Sequence, residues 1–504
     1  MPEHNLYSHF KKQFDRHGDR ELLKTGEQIA YTFADAERES AKLAVLLCDM
    51  GIQPGDRVSA QVEKSPQALF LYLACLRAGF VFHPLNPAYQ SGELEYFIGN
   101  ARPALVICDP QRQQEFSELC GAADIDQLMT LNAQGTGSLT DAAMASSDQF
   151  GIVPRAADDL AALLYSSGTT GVPKGIMLTH DNLLRNTQAL VEAWGFTESD
   201  RLLHALPIFH VHGLFVANGC AMLSGASMRW LAAYSPDEAI QYLPECSVMM
   251  GVPTYYTRLL ASNHFDASVC KSVRLFVSGS APLLAETFTD FEARTGHRIL
   301  ERYGMTETNM NTSNPLHGDR KPGTVGPPLP GVSVRVVDAA GQAVPCGDIG
   351  ALQVRGPNVF KGYWEMPEKT VEDFTADGFF NTGDTASIDS DGYVSIVGRA
   401  KDLVITGGLN VYPKEVELFL DRQPGVSEAA VIGVPHADFG EAVVAVVVRA
   451  GMSATEDGLI RSAKAELANF KVPKKIVFTD ELPRNTMAKV QKNVLRERLA
   501  GLFS

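Results

Sequence analysis

The chain has 504 residues, more than one ordinary hydrophobic core organises, so we expect at least two domains. Hydrophobic residues make up 45% and charged residues 20% of it, which is typical of a globular protein in water. The 59 acidic residues exceed the 44 Lys and Arg residues, for a net charge of −15. This balance disfavours nucleic acid as a partner, but a locally positive pocket for a small anion stays compatible with it.

Neither cysteine spacing nor hydropathy indicates secretion or a membrane. The eight cysteines show no CxxC pair and no metal-ligand spacing, which favours reduced core thiols. Residues Met1–Arg20 lack the apolar segment of a signal peptide. The apolar run Ala68–Leu76 is shorter than the about 20 residues that a bilayer requires. Leu206–Leu223 contains His210 and His212 and is predicted to be core. We therefore expect a cytoplasmic protein without membrane insertion.

The first 150 residues alternate helical and strand patterns. A helix is predicted over Phe33–Met50, with Gly51 as its stop signal. The short apolar runs Arg57–Val62 and Ala104–Cys108 predict buried strands. This alternation predicts an α/β fold, in which a large N-terminal domain contains mostly parallel sheets flanked by helices.

The middle of the chain repeats one arrangement, in which an apolar run of strand length ends in a small, polar or Gly-rich segment. The four runs are Leu160–Tyr165 before SSGTTGVPKG, Val248–Met250 before Gly251-Val252-Pro253, Val273–Val277 before SGSAPL, and His297–Leu300 before ERYGMTET. Open α/β sheets bind ligands at the carboxyl ends of their strands. The four loops are therefore predicted to share one pocket.

The last hundred residues predict a small α+β domain. Its predicted elements are a helix over Pro413–Arg422, strands over Val426–Val434 and Ala442–Arg449, a helix over Glu456–Leu467 and a strand over Ile476–Thr479. Charged residues interrupt two apolar runs near Gly398–Lys401. We therefore divide the chain into residues 1–398, a connection at 399–401, and residues 402–504.

The segment SSGTTGVPKG at residues 166–175 has the composition of a phosphate-binding loop. Small residues let backbone N–H groups approach an anion, hydroxyls add donors, and Lys174 supplies positive charge. The GxxxxGK[ST] spacing of a Walker A loop is absent. A flexible surface loop is the alternative interpretation of this segment taken alone.

Six motifs in order resemble the acyl-adenylate-forming superfamily of acyl-CoA synthetases, luciferases and peptide-synthetase adenylation domains. They are YSSGTTGVPKG at 165–175, ERYGMTET at 301–308, GYWEMPEKT at 362–370, NTGD at 381–384, GRAKDLVITGG at 398–408 and PRNTMAKVQK at 483–492. The resemblance extends over essentially the whole chain. It implies that a carboxylate attacks the α-phosphate of ATP, releasing pyrophosphate, and that the CoA thiol then displaces AMP.

The resemblance also implies nucleotide-binding roles, which need positioning and charge stabilisation more than a protein nucleophile. Thr306 would bind the α-phosphate, and Glu307 with Thr170 would hold Mg²⁺, a cation that prefers oxygen ligands. Tyr303 would pack on adenine, and Asp384 with Arg399 would bind the ribose. The β- and γ-phosphates would be held by Ser166, Ser167, Gly168, Thr169, Thr170, Gly171 and Lys174, with Ser280, Ala281, Glu301 and Gly304 completing the ATP site.

Further roles fall in the predicted mobile C-terminal domain. By resemblance, Lys401 is the hinge, and Lys489 is the catalytic lysine that reaches the α-phosphate and carboxylate during adenylation. Thr406, Gly407 and Gly408 would line the tunnel for the pantetheine arm of CoA. The family usually has Gly where this chain has Ala488. Some relatives are switched off by acetylation of the catalytic lysine, so a lysine acetyltransferase and deacetylase acting on Lys489 are expected partners.

Arg302 is the residue that predicts the substrate. ERYGMTET resembles the malonyl-CoA synthetases, in which this arginine pairs with the carboxylate that does not react. The planar guanidinium suits this task because it binds a carboxylate through two hydrogen bonds and stays charged. Ser280 is expected to add a hydroxyl donor, and either His210 or His212 to assist. Methylmalonate stays open as a substrate, since one methyl group is worth only about 1–3 kcal/mol in a pocket.

Other interpretations stay open from the sequence. At the residue level, the alternatives are a surface or structural ion pair of Arg302, for instance with Glu301, and core or gating roles for the two histidines. At the level of function they are a synthetase for another short carboxylic acid, an enzyme that loads a separate carrier protein, a luciferase-like oxygenase and a nucleotide sensor. We expect no fused carrier domain after Ser504. A charged Arg302 disfavours a hydrophobic emitter, and Lys489 together with Lys174 exceeds what a sensor needs.

Overall fold

The structure is a computed structural model that describes residues 4–27, 29–166, 173–406, 409–436, 438–451, 453–485 and 489–503. Several predicted site residues lie outside this part of the chain. They are Ser167, Gly168, Thr169, Thr170 and Gly171 of the predicted phosphate loop, Gly407 and Gly408 of the predicted tunnel, and Ala488.

The strands and helices are, in chain order, as follows. The strands are β1 Glu21–Thr25, β2 Ile29–Thr32, β3 Arg57–Gln61, β4 Val81–Pro84, β5 Leu105–Cys108, β6 Leu128–Thr130, β7 Leu160–Ser166, β8 Lys174–Thr179, β9 Arg201–His204, β10 Ser227–Trp230, β11 Val248–Gly251, β12 Leu275–Ser278, β13 Leu300–Met305, β14 Asn309–Ser313, β15 Ser333–Val337, β16 Gly350–Arg355, β17 Gly362–Tyr363, β18 Phe380–Ile388, β19 Val394–Arg399, β20 Val404–Thr406, β21 Leu409–Val411, β22 Val426–His436, β23 Gly440–Arg449 and β24 Lys475–Thr479. The α-helices are α1 Leu6–His17, α2 Phe33–Asp49, α3 Pro66–Ala78, α4 Ser91–Ala101, α5 Gln113–Ala122, α6 Ser138–Ala143, α7 His180–Ala193, α8 Asn218–Ser224, α9 Pro236–Tyr242, α10 Pro253–Leu260, α11 Ala285–Thr295, α12 Pro367–Asp373, α13 Pro413–Asp421, α14 Glu456–Glu466 and α15 Lys492–Leu499. A π-helix spans His212–Ala217, and short 3-10 helices include Ala400–Asp402.

The chain separates into two compact units. The larger unit comprises Met1–Ser333 and Val354–Phe380, and the smaller unit comprises Val334–Gln353 and Asn381–Ser504. The predicted hinge residue Lys401 lies within the smaller unit, in the 3-10 helix Ala400–Asp402. A pivot is defined by movement, so the division of the chain at residues 399–401 stays a prediction.

The larger unit contains two mostly parallel sheets. One has the order β14-β13-β12-β11-β9-β10-β1-β2, and its strands from β13 to β1 pair in parallel. The other has the order β17-β8-β7-β4-β3-β5-β6, with parallel pairing from β7 to β6. Parallel strands are buried on both faces, which explains why they are continuous apolar runs in the sequence. The predicted α/β fold is confirmed.

The helices begin and end for local reasons. Helix α2 starts with a capping box formed by Thr32 and Asp35 and ends one residue before the predicted position. The apolar run at residues 68–76 is part of the buried helix α3, which is capped by Ser65. The run at 206–223 is also largely buried, as predicted. Among the described helices, none combines the length and apolar character needed to cross a bilayer.

The smaller unit has the predicted α+β character. One sheet has the order β15-β16-β18-β19 and another the order β21-β20-β23-β22, with β24 beside β23. Helices α13 and α14 pack on the second sheet through a cluster that includes Val416, Phe419, Val431 and Val443. Pro413 occupies the first turn of α13, where its missing N–H costs nothing.

One predicted strand is wrong in position. The sequence predicted a strand over His297–Leu300 that would run into a loop ERYGMTET, but β13 spans Leu300–Met305. The first residues of β13 pair in parallel with β12, and the rest pair with β14 in an antiparallel hairpin. This second partner extends the strand through polar residues that hydropathy alone assigns to a loop. Arg302 is consequently held by a strand rather than by a loop.

Candidate active site

The carboxyl ends of β12 and β13 bring the predicted acyl-binding residues together in the larger unit. Gly279 and Ser280 follow β12, and Arg302 lies in β13. Ser280 has a φ of 71°, in the left-handed region where a residue with a side chain costs roughly 1–2 kcal/mol. A strained backbone conformation persists only where the surrounding structure holds it, and such residues cluster at functional sites.

Arg302 is a buried guanidinium. It is 2% exposed, and a Cβ built on Gly279 would lie 2.5 Å from its Cζ atom, so the guanidinium packs directly against the Gly279 backbone. Its Nε and Nη2 atoms are buried without a hydrogen-bond partner, and no carboxylate lies within 4.0 Å of it in the described part of the chain. Burial lowers the pKa of Arg302 to about 9. A buried cation of this kind is costly unless an anion joins it.

The neighbouring Glu301 does not pair with Arg302. Successive strand residues point to opposite faces of a sheet, and the Glu301 carboxylate accepts the Leu283 backbone N–H at 3.0 Å. The alternative of an ion pair between Glu301 and Arg302 is therefore wrong. The contact gives Glu301 a structural role in fixing the loop after β12.

His212 is the predicted histidine that lies beside Ser280. Its Nδ1 atom is 3.3 Å from the Ser280 Oγ atom, and its Nε2 atom is buried without a hydrogen-bond partner among the described residues. Burial holds the pKa of His212 well below its usual value, and the positive charge of Arg302 lowers it further. The ring is therefore neutral near pH 7. His210 is half-buried, and its backbone carbonyl accepts the Leu214 N–H at 2.9 Å.

The predicted phosphate loop begins and ends in a strand pair. Ser166 at the end of β7 lies opposite Lys174 at the start of β8. Lys174 is buried, with its Nζ atom 4.0 Å from an Asp373 carboxylate oxygen and 4.8 Å from the Tyr363 ring centre. A buried positive charge therefore lies at the C-terminal end of the loop.

The turn between β13 and β14 carries the predicted α-phosphate and metal residues. Thr306 is half-buried in this turn, and Glu307 is buried, with its backbone carbonyl accepting the Phe360 N–H at 2.8 Å. Burial raises the pKa of Tyr363, and the negative charge of Glu307 adds to the rise. Glu307 and Lys174 thus share Tyr363 as a neighbour, which brings the predicted Mg²⁺ and phosphate residues into one region.

Other predicted nucleotide residues surround this turn. Tyr303, the predicted adenine contact, lies opposite Thr312 in the hairpin, and Gly304 follows at a register shift in the strand pair. Ala281 directly follows Ser280. No group of three His, Cys, Asp or Glu side chains in the described chain is arranged to hold a metal ion. The other predicted Mg²⁺ ligand, Thr170, lies outside the described residues.

In the smaller unit, the two predicted ribose residues form an ion pair. Asp384 on β18 and Arg399 on β19 lie opposite each other, with 2.7 Å between the Arg399 Nε atom and an Asp384 carboxylate oxygen. Arg399 also donates to the Thr382 carbonyl at 3.2 Å. Asp384 is 4% exposed, so the pair is anchored in the sheet. Their contact with ribose stays a prediction.

Lys489 and the predicted hinge also belong to the smaller unit. Lys489 is exposed, and its backbone N–H and carbonyl both bond Asn485, at 3.0 and 2.9 Å. Lys401 is exposed and directly precedes Asp402, which forms an ion pair with Arg496. Thr406 is buried at the end of β20. The catalytic, hinge and tunnel roles of these residues stay predictions.

Sequence reasoning missed two residues near the predicted acyl-binding group, which consists of Arg302, Ser280 and His212. Lys64 is buried, and its Nζ atom is 2.9 Å from the His204 Nδ1 atom. The two residues are 140 positions apart, with Lys64 after β3 of one sheet and His204 at the end of β9 in the other, so no local spacing connects them. The one available signal was a lysine directly before Ser65-Pro66, which begins an almost wholly apolar helix.

Comparison with known proteins defines the class. The model of the AMP-binding enzyme family matches residues 10–364, and that of the AMP-binding enzyme C-terminal domain matches residues 415–489. The chain therefore belongs to the AMP-binding enzyme family. The prediction of an adenylate-forming ligase is confirmed by this membership and by relatives that are CoA ligases.

Individual relatives differ in the acids that their names give. The ATP-bound crystal structure of MatB from Rhodopseudomonas palustris is 52% identical, covers 99% of this chain and 100% of its own, and superposes with a TM-score of 0.96. Malonate–CoA ligase ACSF3, mitochondrial, of Mus musculus is 35% identical over 95% of this chain and 89% of its own length. Feruloyl-CoA synthase of Amycolatopsis is 36% identical over 93% of this chain and 94% of its own length.

Proposed function

We propose that this protein is an AMP-forming malonate–CoA ligase. Malonate reacts with ATP to give malonyl-AMP and pyrophosphate, and the CoA thiol then displaces AMP to give malonyl-CoA. The observation that carries the proposal is the buried Arg302 guanidinium, which has two nitrogens without hydrogen-bond partners and no neighbouring carboxylate among the described residues. A second carboxylate on the substrate supplies the missing anion.

The relatives at similar identity include malonate and ferulate enzymes, so identity alone does not choose the acid. The aromatic tail of ferulate brings no charge to Arg302, and it would leave the cation buried and unpaired, at a cost of several kcal/mol. A malonate carboxylate offers two acceptor oxygens to the fork of the guanidinium. The Ser280 hydroxyl and the neutral His212, 3.3 Å apart, add polar groups beside this fork. Methylmalonate would keep the same pairing.

The nucleotide is proposed to bind through the residues of the six motifs. Lys174 and the hydroxyls of the preceding loop would hold the β- and γ-phosphates, Thr306 the α-phosphate and Glu307 a Mg²⁺ ion. Their charges fit this use, since a buried lysine and a buried glutamate share the neighbourhood of Tyr363. Magnesium would supply positive charge on the phosphate oxygens.

The smaller unit would complete both half-reactions. Asp384 and Arg399 would hold the ribose, Lys489 would stabilise charge on the α-phosphate during adenylation, and rotation about Lys401 would bring Thr406 and the following glycines to CoA. The exposure of Lys489 supports its access to substrate and to an acetyltransferase. Acetylation would remove its charge and should stop adenylation.

A pyrophosphate-release screen tests the proposal. The purified protein is given ATP and Mg²⁺ with acetate, malonate, methylmalonate, succinate or benzoate, and each reaction is run with and without CoA. We expect the highest kcat/KM with malonate and multiple turnovers only with CoA. Preference for acetate or benzoate would contradict the assigned acid. Turnover that needs a carrier protein instead of CoA would contradict the assigned acceptor.

A further inference from the structure

Lys64 is a buried lysine of the larger unit that lies outside the six sequence motifs. It lies between β3 and α3, is 6% exposed, and has no carboxylate within 4.0 Å in the part of the chain described. Its Nζ atom lies 2.9 Å from the His204 Nδ1 atom and 2.8 Å from the His204 carbonyl oxygen. The Trp230 ring centre is 4.3 Å away, which adds a cation–π contact. Lys64 therefore directs its polar contacts to one residue of the other sheet.

These contacts define which nitrogen of His204 carries the proton. Burial lowers the pKa of Lys64 well below its usual value, so the charge of Lys64 alone does not decide the tautomer, but its Nζ atom can donate to the His204 Nδ1 atom in either protonation state. The Nε2 atom lies 3.1 Å from the Gly213 carbonyl oxygen, which can only accept. His204 must therefore hold its proton on Nε2. Burial lowers the pKa of His204 well below its usual value, and the charge of Lys64 lowers it further, so the ring is neutral.

The Gly213 carbonyl belongs to the π-helix His212–Ala217. It also accepts the Asn218 N–H in an i to i+5 bond, the pattern that defines this rare helix. The turn is tightly packed, since a Cβ on Gly213 would lie 2.0 Å from the Pro207 carbonyl oxygen. The bond from His204 thus holds the first turn of the π-helix at the closely packed Gly213.

This turn presents a residue of the acyl-binding group. His212 directly precedes Gly213, and its Nδ1 atom is 3.3 Å from the Ser280 Oγ atom. Its position therefore depends on the turn that His204 holds. The path from Lys64 to Ser280 consists of hydrogen bonds and one helical turn, all within the larger unit.

We propose that Lys64 is a positioning residue for the carboxylate pocket. It fixes the Nε2–H form of His204, and His204 in turn holds the π-helix so that His212 and Ser280 face the substrate carboxylate near Arg302. Lys64 itself does not touch the substrate. The inference rests on the proposed function, because it assigns the pocket to the second carboxylate of the acid.

The Lys64→Met variant tests this role. Methionine keeps the length and the apolar contact of the side chain but cannot donate to His204. We expect the KM for malonate to rise about tenfold, as for one lost hydrogen bond, and the KM for ATP to change less than about twofold. Lys12→Met, at an exposed position of the same unit, is the control and should change neither constant. Equal changes in both KM values, or none, would overturn the proposal.

The His204→Gln background tests whether Lys64 acts through the tautomer of His204 or only through its packing. The glutamine side-chain amide always carries N–H donors, so it does not need Lys64 to set a tautomer. In a His204→Gln background, Lys64→Met should therefore raise the KM for malonate less than about threefold. An undiminished tenfold rise in that background would show that Lys64 acts by another route.

Histidine NMR tests the inference on the wild-type protein, whatever the variants do. With ¹⁵N-labelled histidine, long-range ¹H–¹⁵N correlation distinguishes the Nε2–H from the Nδ1–H form, and the His204→Gln spectrum assigns the signal. We expect the Nε2–H form, and the Nδ1–H form would overturn the inference. Failure of the proposed function looks different, since the wild-type enzyme would then show no preference for malonate while His204 kept its tautomer.

Discussion

The predicted acyl-binding group and the loop of Lys489 differ in how firmly the surrounding structure holds them. Arg302 lies within a strand, is 2% exposed and packs against Gly279. Lys489 is exposed, on a loop where its backbone N–H and carbonyl both bond Asn485. A residue that selects a substrate benefits from a fixed position, because discrimination depends on exact distances in a desolvated site. A residue that serves one half-reaction needs to approach and leave, which an exposed loop permits.

The largest effect is expected at the exposed loop. Lys489→Ala should reduce malonyl-AMP formation by about three decades, since in the proposed role of Lys489 its charge stabilises the developing negative charge at the α-phosphate. Thioester formation from prepared malonyl-AMP should keep most of its rate. Single-turnover measurement of each half-reaction checks this, with the exposed Lys464→Ala as control. Equal losses in both half-reactions would contradict the assignment of Lys489 to adenylation alone.

Arg302→Gly should have the next largest effect and should change selectivity. Removing one partner of a buried charge pair costs about 3–5 kcal/mol, or roughly two to three and a half decades in kcat/KM for malonate. Butyrate has no second carboxylate and should lose little. The ratio of malonate to butyrate kcat/KM is the quantity to measure, at saturating ATP and CoA.

The Arg302→Lys variant refines this measurement. It keeps the charge but loses the planar fork, so its ratio should lie between those of the wild type and Arg302→Gly. A parallel fall for malonate and butyrate in Arg302→Gly would instead assign Arg302 to the fold or the nucleotide. The substrate assignment would then fail while family membership would stand.

The sequence predicted most of the frame of this site, because buried parallel strands and the loops after them leave local patterns. The strand of Arg302 was misplaced, since its continuation depends on pairing with β14 rather than on hydropathy. Lys64 was missed for a related reason. Its contact with His204 joins two sheets across 140 residues, and only the tertiary fold brings the two together. A single buried polar contact of this kind produces no periodic pattern in the sequence from which it could be predicted.

The smallest effect is expected from Gly279→Ala, which tests how far the rigidity of the acyl-binding group matters. Gly279 does not have a positive φ, so alanine fits its backbone, but the new Cβ would lie 2.5 Å from the Arg302 Cζ atom. The guanidinium is the far end of a long side chain and should move aside rather than unfold the strand. We expect about a tenfold loss in the malonate to butyrate ratio, or about 1.4 kcal/mol, with little change in Tm. Gly99→Ala is the matched control, because open space surrounds that position. If Gly279→Ala leaves the ratio unchanged, the pocket tolerates displacement of Arg302, and its selectivity rests on charge alone rather than on a fixed geometry.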